Sequence, residues 1–151
     1  MKLSETIRSR RGMLGMTQEQ LADALGVTAA AVSKWENSLS LPDMTLLPTL
    51  ARLLETDPNT LLDFAAEPTR SEIGKLLNRL HTIYQEKGLD AALDLARRKL
   101  REYPASALLQ LNLAITLDGL TASQPERRSE LLPEILTLYE KAAASADESV
   151  S

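Results

Sequence analysis

The stretch GVTAAAVSKWEN, residues 26–37, holds the side chains whose types and spacing suggest chemistry with another molecule. On a helix beginning at Thr28, the first-turn residues together with Ser33, Lys34 and Asn37 fall on or near one exposed side, while Val32 and Trp35 point toward a core. Such a side offers hydroxyls, an ammonium and an amide, which are groups for recognition by hydrogen bonding and charge. Bond-making sets are not found elsewhere. The sequence has no cysteine and one histidine, His81, and it lacks a glycine-rich phosphate loop, a metal-ligand spacing and a nucleophile with an identifiable base. No catalytic residue, metal ligand or cofactor is therefore expected, and an enzyme is not the reading.

The elements that must position those side chains are helical. Aromatic content is 3%, Leu and Ala dominate, and no alternating β-branched run appears, so the fold class is all-α. A first helix is predicted from about Leu3 to Leu14, with Leu3, Ile7, Met13 and Leu14 inward and Gly15 as its stop. Thr17-Gln18-Glu19-Gln20 has the spacing of a capping box, which starts the next helix sharply; Leu21, Ala22 and Leu25 then face inward until Gly26 ends it. Only Val27 intervenes before Thr28 can cap another helix, running through about Glu36. Two short helices joined by a tight glycine turn make a helix-turn-helix, whose second helix can enter the major groove of DNA. Hairpins of this size also occur in proteins that touch no DNA, so spacing alone leaves the partner open.

The residue types narrow it. The run MTQEQLADALGVTAAAVSKWENSLSLPD, followed by LARLLETDPNTLLDF, resembles the helix-turn-helix of the Cro-like phage repressor (XRE) family of bacterial transcription regulators, over about Leu3 to Phe64. The resemblance implies a five-helix repressor-like DNA-binding domain, here residues 1–64, usually dimeric, that binds short operators through its third helix. It places Thr28, Ala29, Ala30, Ser33 and Lys34 where side chains approach base edges, and Gln18 and Asn37 where they approach phosphates. Arg11 and Glu36 match a family ion pair tying the first helix to the third; an exposed pair of this kind would add only about 0–1 kcal/mol. Lys34 is the strongest candidate for direct readout, because its ammonium can bond guanine O6 and N7. Ala29 and Ala30 can lie against thymine methyls, or the three alanines can simply favour the helix. Trp35 reads as core, and Ser38 stands where the family pattern usually has glycine. Asp43 or Thr45 can cap a fourth helix through about Leu54, with Thr45 preferred because Pro48 is best tolerated in a first turn. Asp57-Pro58 is a cap and first-position pair opening a last short helix to about Phe64.

AAEPTRSE breaks the periodicity, and residues 65–70 read as a linker. Beyond it two helical hairpins are predicted, 71–87 with 89–103, and 106–119 with about 129–146 across the loop DGLTASQPERRS. LLNRLHTIYQEKGLDAALDLARRKLREYP resembles a tetratricopeptide repeat: Leu77, Leu80 and Tyr84 lie on the first helix, Ala92 takes the small-residue position, and Pro104 ends the second. One residue is missing at the turn, and Lys99 stands where a small residue is usual. The reading is a small tetratricopeptide-like domain over 71–146 with a disordered tail, 147–151. Two repeats cover each other poorly, so dimerisation through residues 71–146 would supply the missing surface. The run Arg97 to Arg101 reads as a solvated basic face or as a contact to flanking DNA, and His81 as packed or surface.

Formal net charge is −4, mildly against a nucleic-acid binder, although residues 70–104 hold eight basic and five acidic side chains. A weak binder that gains affinity by dimerising fits these numbers. MKLSETIRSRR lacks an apolar run of signal-peptide length and no long apolar run follows, so a soluble, cytoplasmic protein with no membrane partner is expected. The reading is thus a regulator of transcription, a repressor, whose partners are double-stranded DNA and a second copy of itself on an inverted-repeat operator. The alternatives are an antitoxin-like or adaptor interaction protein, or a peptide-responsive regulator, whose C-terminal helices bind a protein or peptide.

Overall fold

A computed structural model describes residues 2–148, and the regular structure among them is helical throughout. The chain divides into two compact units between Ala65 and Ala66.

The first unit comprises α1 (Lys2–Met13), α2 (Gln18–Leu25), α3 (Ala29–Glu36), a 3-10 turn (Met44–Leu46) leading into α4 (Leu47–Leu53), and α5 (Pro58–Leu62). Local chemistry sets where α2 and α3 begin. The Thr17 hydroxyl accepts from the Gln20 N–H at 3.0 Å, and the Gln20 side-chain oxygen accepts from the Thr17 N–H at 2.8 Å, which satisfies two donors that a helix start leaves without partners. At Gly26 φ is +72°, a left-handed conformation that costs glycine little and lets the chain turn from α2 to Thr28 in two residues. The Thr28 hydroxyl then accepts from the Ala31 N–H at 3.1 Å and starts α3. Leu3 and Ile7 of α1, Leu21 and Ala22 of α2, Val32 and Trp35 of α3, and Leu50, Ala51, Leu54 and Leu61 close one core. Fully burying an aliphatic side chain of this size contributes about 1.5–3 kcal/mol, so this cluster is what holds five short helices together.

Four expectations for this unit need correction. Met13 is 77% exposed because, six residues after Ile7, it lies about 120° round α1 from that buried side chain. Leu14 shares the side of Ile7, but the helix has ended and Gly15, at φ +69°, turns the chain away, leaving Leu14 38% exposed and outside the core. Neither Asp43 nor Thr45 caps α4, which starts after Leu46 without a side-chain cap bond; Asp43 instead caps the preceding 3-10 turn, its carboxylate accepting from the Thr45 N–H at 2.9 Å and from the Thr45 hydroxyl at 2.7 Å. The final helix ends at Leu62 with Asp63 left-handed, two residues short of Phe64, which is exposed.

The second unit comprises α6 (Arg70–Lys87), α7 (Leu89–Glu102), α8 (Ala107–Thr121) and α9 (Pro125–Glu148), packed as two successive hairpins. Thr69 and Glu72 form a capping box at the start of α6, and Gly88, at φ +90°, makes the turn to α7. Leu80, Ala92, Leu93, Leu109, Leu113, Leu117 and Ile135 lie at the centre of its core, with Leu77 and Tyr84 half-buried at the edge.

Some details differ from the sequence reading. Residues 65–69 hold no regular element; within them Pro68 is buried, the Ser106 hydroxyl donates to the Glu67 carboxylate, and Thr69 caps α6, which starts at Arg70. The long loop 118–129 shrinks to residues 122–124, because α8 continues to Thr121 and Pro125, which needs no N–H partner in a first turn, opens α9. The Gln124 carbonyl accepts the first helical bond, from the Arg128 N–H at 2.9 Å. The sequence predicts a disordered tail over 147–151; Asp147 and Glu148 continue α9, and residues 149–151 lie outside the described residues.

Candidate nucleic-acid interface

The placement of α3 is decided by Glu36 at its last turn. Its side chain is completely buried. Arg11 of α1 donates to both carboxylate oxygens, from Nε at 2.5 Å and Nη2 at 3.0 Å, and Gln18 of α2 donates its amide at 2.8 Å. Arg8 adds an ion pair at 3.7 Å, and Arg11 also donates to the Met16 carbonyl at 2.7 Å. One carboxylate therefore ties three helices together. Burial by itself would raise the Glu36 carboxyl; the bonds from Arg11 and Gln18, with the charges of Arg11 and Arg8, overcome it and hold the group below the usual carboxylate range. The same bond raises Arg11.

Held this way, α3 carries Thr28, Ala30, Lys34 and Asn37 exposed and Ser33 half-buried. Lys34 has no hydrogen bond or ion pair among the described residues, so its ammonium is free to meet an acceptor. Thr28 spends its oxygen on the cap and keeps its O–H to donate. Asn37 is engaged within the unit: its amide donates to the Ser33 carbonyl at 2.8 Å and its oxygen accepts from Arg8 at 3.0 Å. Two of the sequence-stretch candidates sit differently from the rest. Ala29 packs on the core, leaving Ala30 as the more open methyl, and Gln18 has one amide N–H committed to Glu36. Trp35 is 6% exposed and belongs to the core.

Ser38, at φ +58°, takes the left-handed conformation at the exit of α3, and its hydroxyl donates to Ser4 at 2.8 Å. A hydrogen bond to α1 thus accompanies a backbone conformation that glycine would adopt with less strain.

Two arginines escaped the sequence reading. Arg8 reaches both Glu36 and Asn37, and its spacing of three from Arg11 on one helix side was the available signal. Arg10 donates to the Leu54 carbonyl at 2.8 Å and to the Glu55 carbonyl, fastening α1 to the end of α4. Nothing local in the sequence marks that contact. With Arg10 and Arg11 occupied and Lys2 paired to Asp63 at 2.9 Å, the cations of the first unit without a partner are Lys34 and Arg52, among the described residues. The unit holds six basic and eight acidic side chains. Such a balance attracts phosphate only weakly, so any recognition by this surface would rest on shape and directed contacts.

Over residues 7–61, about a third of its length, the chain matches the Helix-turn-helix family HTH_3. It is 30% identical over 89 residues to the HTH-type transcriptional activator BcrR of Enterococcus faecalis, a match covering 55% of this chain and 44% of that protein. It is 28% identical over 87 residues to the cryptic phage CTXphi transcriptional repressor RstR of Vibrio cholerae, covering 58% of this chain and 78% of the repressor. This chain thus spans less than half the length of the activator. Among solved structures, the apo form of the competence regulator ComR from Streptococcus vestibularis aligns with 93% of this chain and 48% of its own, at 23% identity and a TM-score of 0.38. No helix among the described residues is long and apolar enough to cross a membrane.

Proposed function

We propose that this chain, with its helix-turn-helix N-terminal unit, is a sequence-specific DNA-binding transcriptional regulator that acts as a homodimer on an inverted-repeat operator. The observation that carries the reading is the rigid presentation of α3: a buried carboxylate pinned from α1 and α2 holds a helix whose outer side keeps a free ammonium, two hydroxyls and an open methyl. Lys34 bonds guanine O6 and N7, the Thr28 and Ser33 hydroxyls meet neighbouring base edges, and Ala30 lies against a thymine methyl. Asn37, the free N–H of Gln18 and Arg8 approach phosphates and set the register. Ala29, turned partly into the core, contributes less to readout than Ala30. Repression is the simplest direction, because a dimer seated on an operator blocks the polymerase by occupancy alone.

One half-site read by one lysine, two hydroxyls and methyl contacts gives modest affinity, so two copies are needed. The second unit supports that. Leu108, Leu111 and Ile115 of α8 and Leu132 and Leu136 of α9 are exposed. Asp118 lies two helical turns beyond Leu111 on the same side, Arg128 lies one turn before Leu132, and the two charges pair at 2.7 Å, so the apolar stripes of α8 and α9 run side by side. The charges bordering the stripe compensate each other, so a second copy of the same surface meets no repulsion across a two-fold axis. Selection of bound sites from random duplexes tests the DNA reading. The expected product is an inverted repeat; enrichment of no sequence would overturn it. The same apolar stripe favours one second reading, an adaptor or antitoxin-like protein that binds a different chain there. In that case co-expression with neighbouring gene products yields a stable hetero-complex on size exclusion in place of the homodimer.

A further inference from the structure

The second unit contains a cavity of about 480 Å³ whose lining comes from α6, α7 and the start of α8. Its floor includes Leu76, Leu95 and Leu109, all buried in the core of the unit. Its rim is cationic. Lys75 and Arg79 of α6 stand one helical turn apart on one side, and Arg98 of α7 joins them. None of the three makes an ion pair or hydrogen bond among the described residues. On α7, Arg97 is held by Glu134 through two bonds of 2.9 Å, and Lys99, which also lines the cavity, by Glu102 at 2.9 Å; Arg101, like the three without a partner among the described residues, lies outside the lining. The one acidic side chain on the rim, Glu72, is engaged in the α6 cap, accepting from the Thr69 N–H at 3.2 Å. Tyr103 closes one end with a phenol that can donate.

Three uncompensated cations in a chain of net charge −4, converging on an apolar floor, are more than a solvated helix surface requires. Like charges brought together repel one another unless an anion joins them, and an apolar floor is wetted at a cost unless an apolar body covers it. The volume lies within the range of small-molecule sites. We propose that this cavity binds a small amphipathic anion, a carboxylate carried on an acyl or aryl body, with Lys75, Arg79 and Arg98 on the anionic head and Leu76, Leu95 and Leu109 under the tail. The DNA backbone presents the anion without the apolar body and would leave the floor uncovered. Binding itself does not depend on the regulator reading; use of the ligand as an effector of operator binding rests on it.

The test is fluorescence titration of the full chain, with no DNA present, using 8-anilinonaphthalene-1-sulfonate as an anionic probe and N-phenyl-1-naphthylamine as its neutral counterpart. The expected result is one saturable site that prefers the anion by tenfold or more, with decanoate displacing the probe and decanol failing to do so. Arg79→Gln with Arg98→Gln should remove the preference and leave the neutral probe unchanged. These side chains are exposed on helices, and an unchanged thermal melt by circular dichroism confirms the fold. Leu111→Ser with Leu136→Ser should bind as the parent chain does. Equal affinity for both probes, an unaltered preference in the arginine variant, or loss of binding in the leucine variant would each overturn the proposal. A null here leaves operator selection untouched, so the two readings fail separately.

Discussion

Replacing Glu36 by Gln keeps the shape of the side chain and removes its charge, and this single change should unfasten α3 from α1 and α2. The parent carboxylate accepts two bonds from Arg11 and one from Gln18, all donors, whereas the glutamine amide turns an N–H toward one of them. Glu36 has no exposed side-chain surface and Arg11 is 17% exposed, so the arginine is left with little water to replace its partner. Removing one member of a buried pair costs about 3–5 kcal/mol. Arg11 keeps the Met16 carbonyl and some solvent, which places the loss near the lower limit, about 3 kcal/mol. For a unit of this size that lowers the melting temperature by on the order of 15 °C. Trp35 is the one tryptophan of the chain and sits buried on α3, so its fluorescence melt reports the first unit alone. The pH dependence supplies a second check. Because the folded-state carboxyl lies below the ordinary glutamate range, its contribution is complete above that range and is lost as the pH falls through the lower folded-state value. The variant should therefore lose less stability than the parent across that acid window. A Trp35 midpoint within about 4 °C of the parent, which corresponds to less than about 1 kcal/mol, together with an unchanged acid slope, would refute the role assigned to Glu36.

The other expectations are narrower. Lys34→Ala should relax sequence preference at one base position of each half-site, a loss of about 1–3 kcal/mol there, with the Trp35 melt unchanged; a uniform loss over all sequences would reassign Lys34 to phosphate contact. Gln18→Ala should weaken binding to all sequences about equally and also lower the melting temperature, because its amide is part of the Glu36 cluster. Leu111→Glu should shift the chain from dimer to monomer in sedimentation and reduce operator affinity at fixed protein concentration, and a dimer that persists would remove α8 and α9 from the interface. Glu55, exposed at φ +53° just past α4, should tolerate glycine with a gain of roughly 0.5–1 kcal/mol in urea unfolding, since its backbone carbonyl still accepts from Arg10.

Where the determining contacts span three or four residues, the sequence was sufficient. Thr17 with Gln20, Gly26, Thr28, Asp57 with Pro58 and Gly88 set helix starts and stops through bonds that close within one turn, and the spacing of Leu21, Ala22, Val32 and Trp35 identified the buried sides. Local readings failed where two local signals competed, as at Asp43 and Thr45, or where a turn-like composition, from Asp118 to Ser129, was overruled by the helix that Pro125 can open. Tertiary structure alone decided the rest. A carboxylate within reach of Arg11, Gln18 and Arg8, an arginine from α1 on the last carbonyls of α4, and three cations over one apolar floor are meetings of residues far apart in the chain. Periodicity says which side of a helix is buried; it cannot say which other helix lies against that side, because that depends on the packing of the whole core.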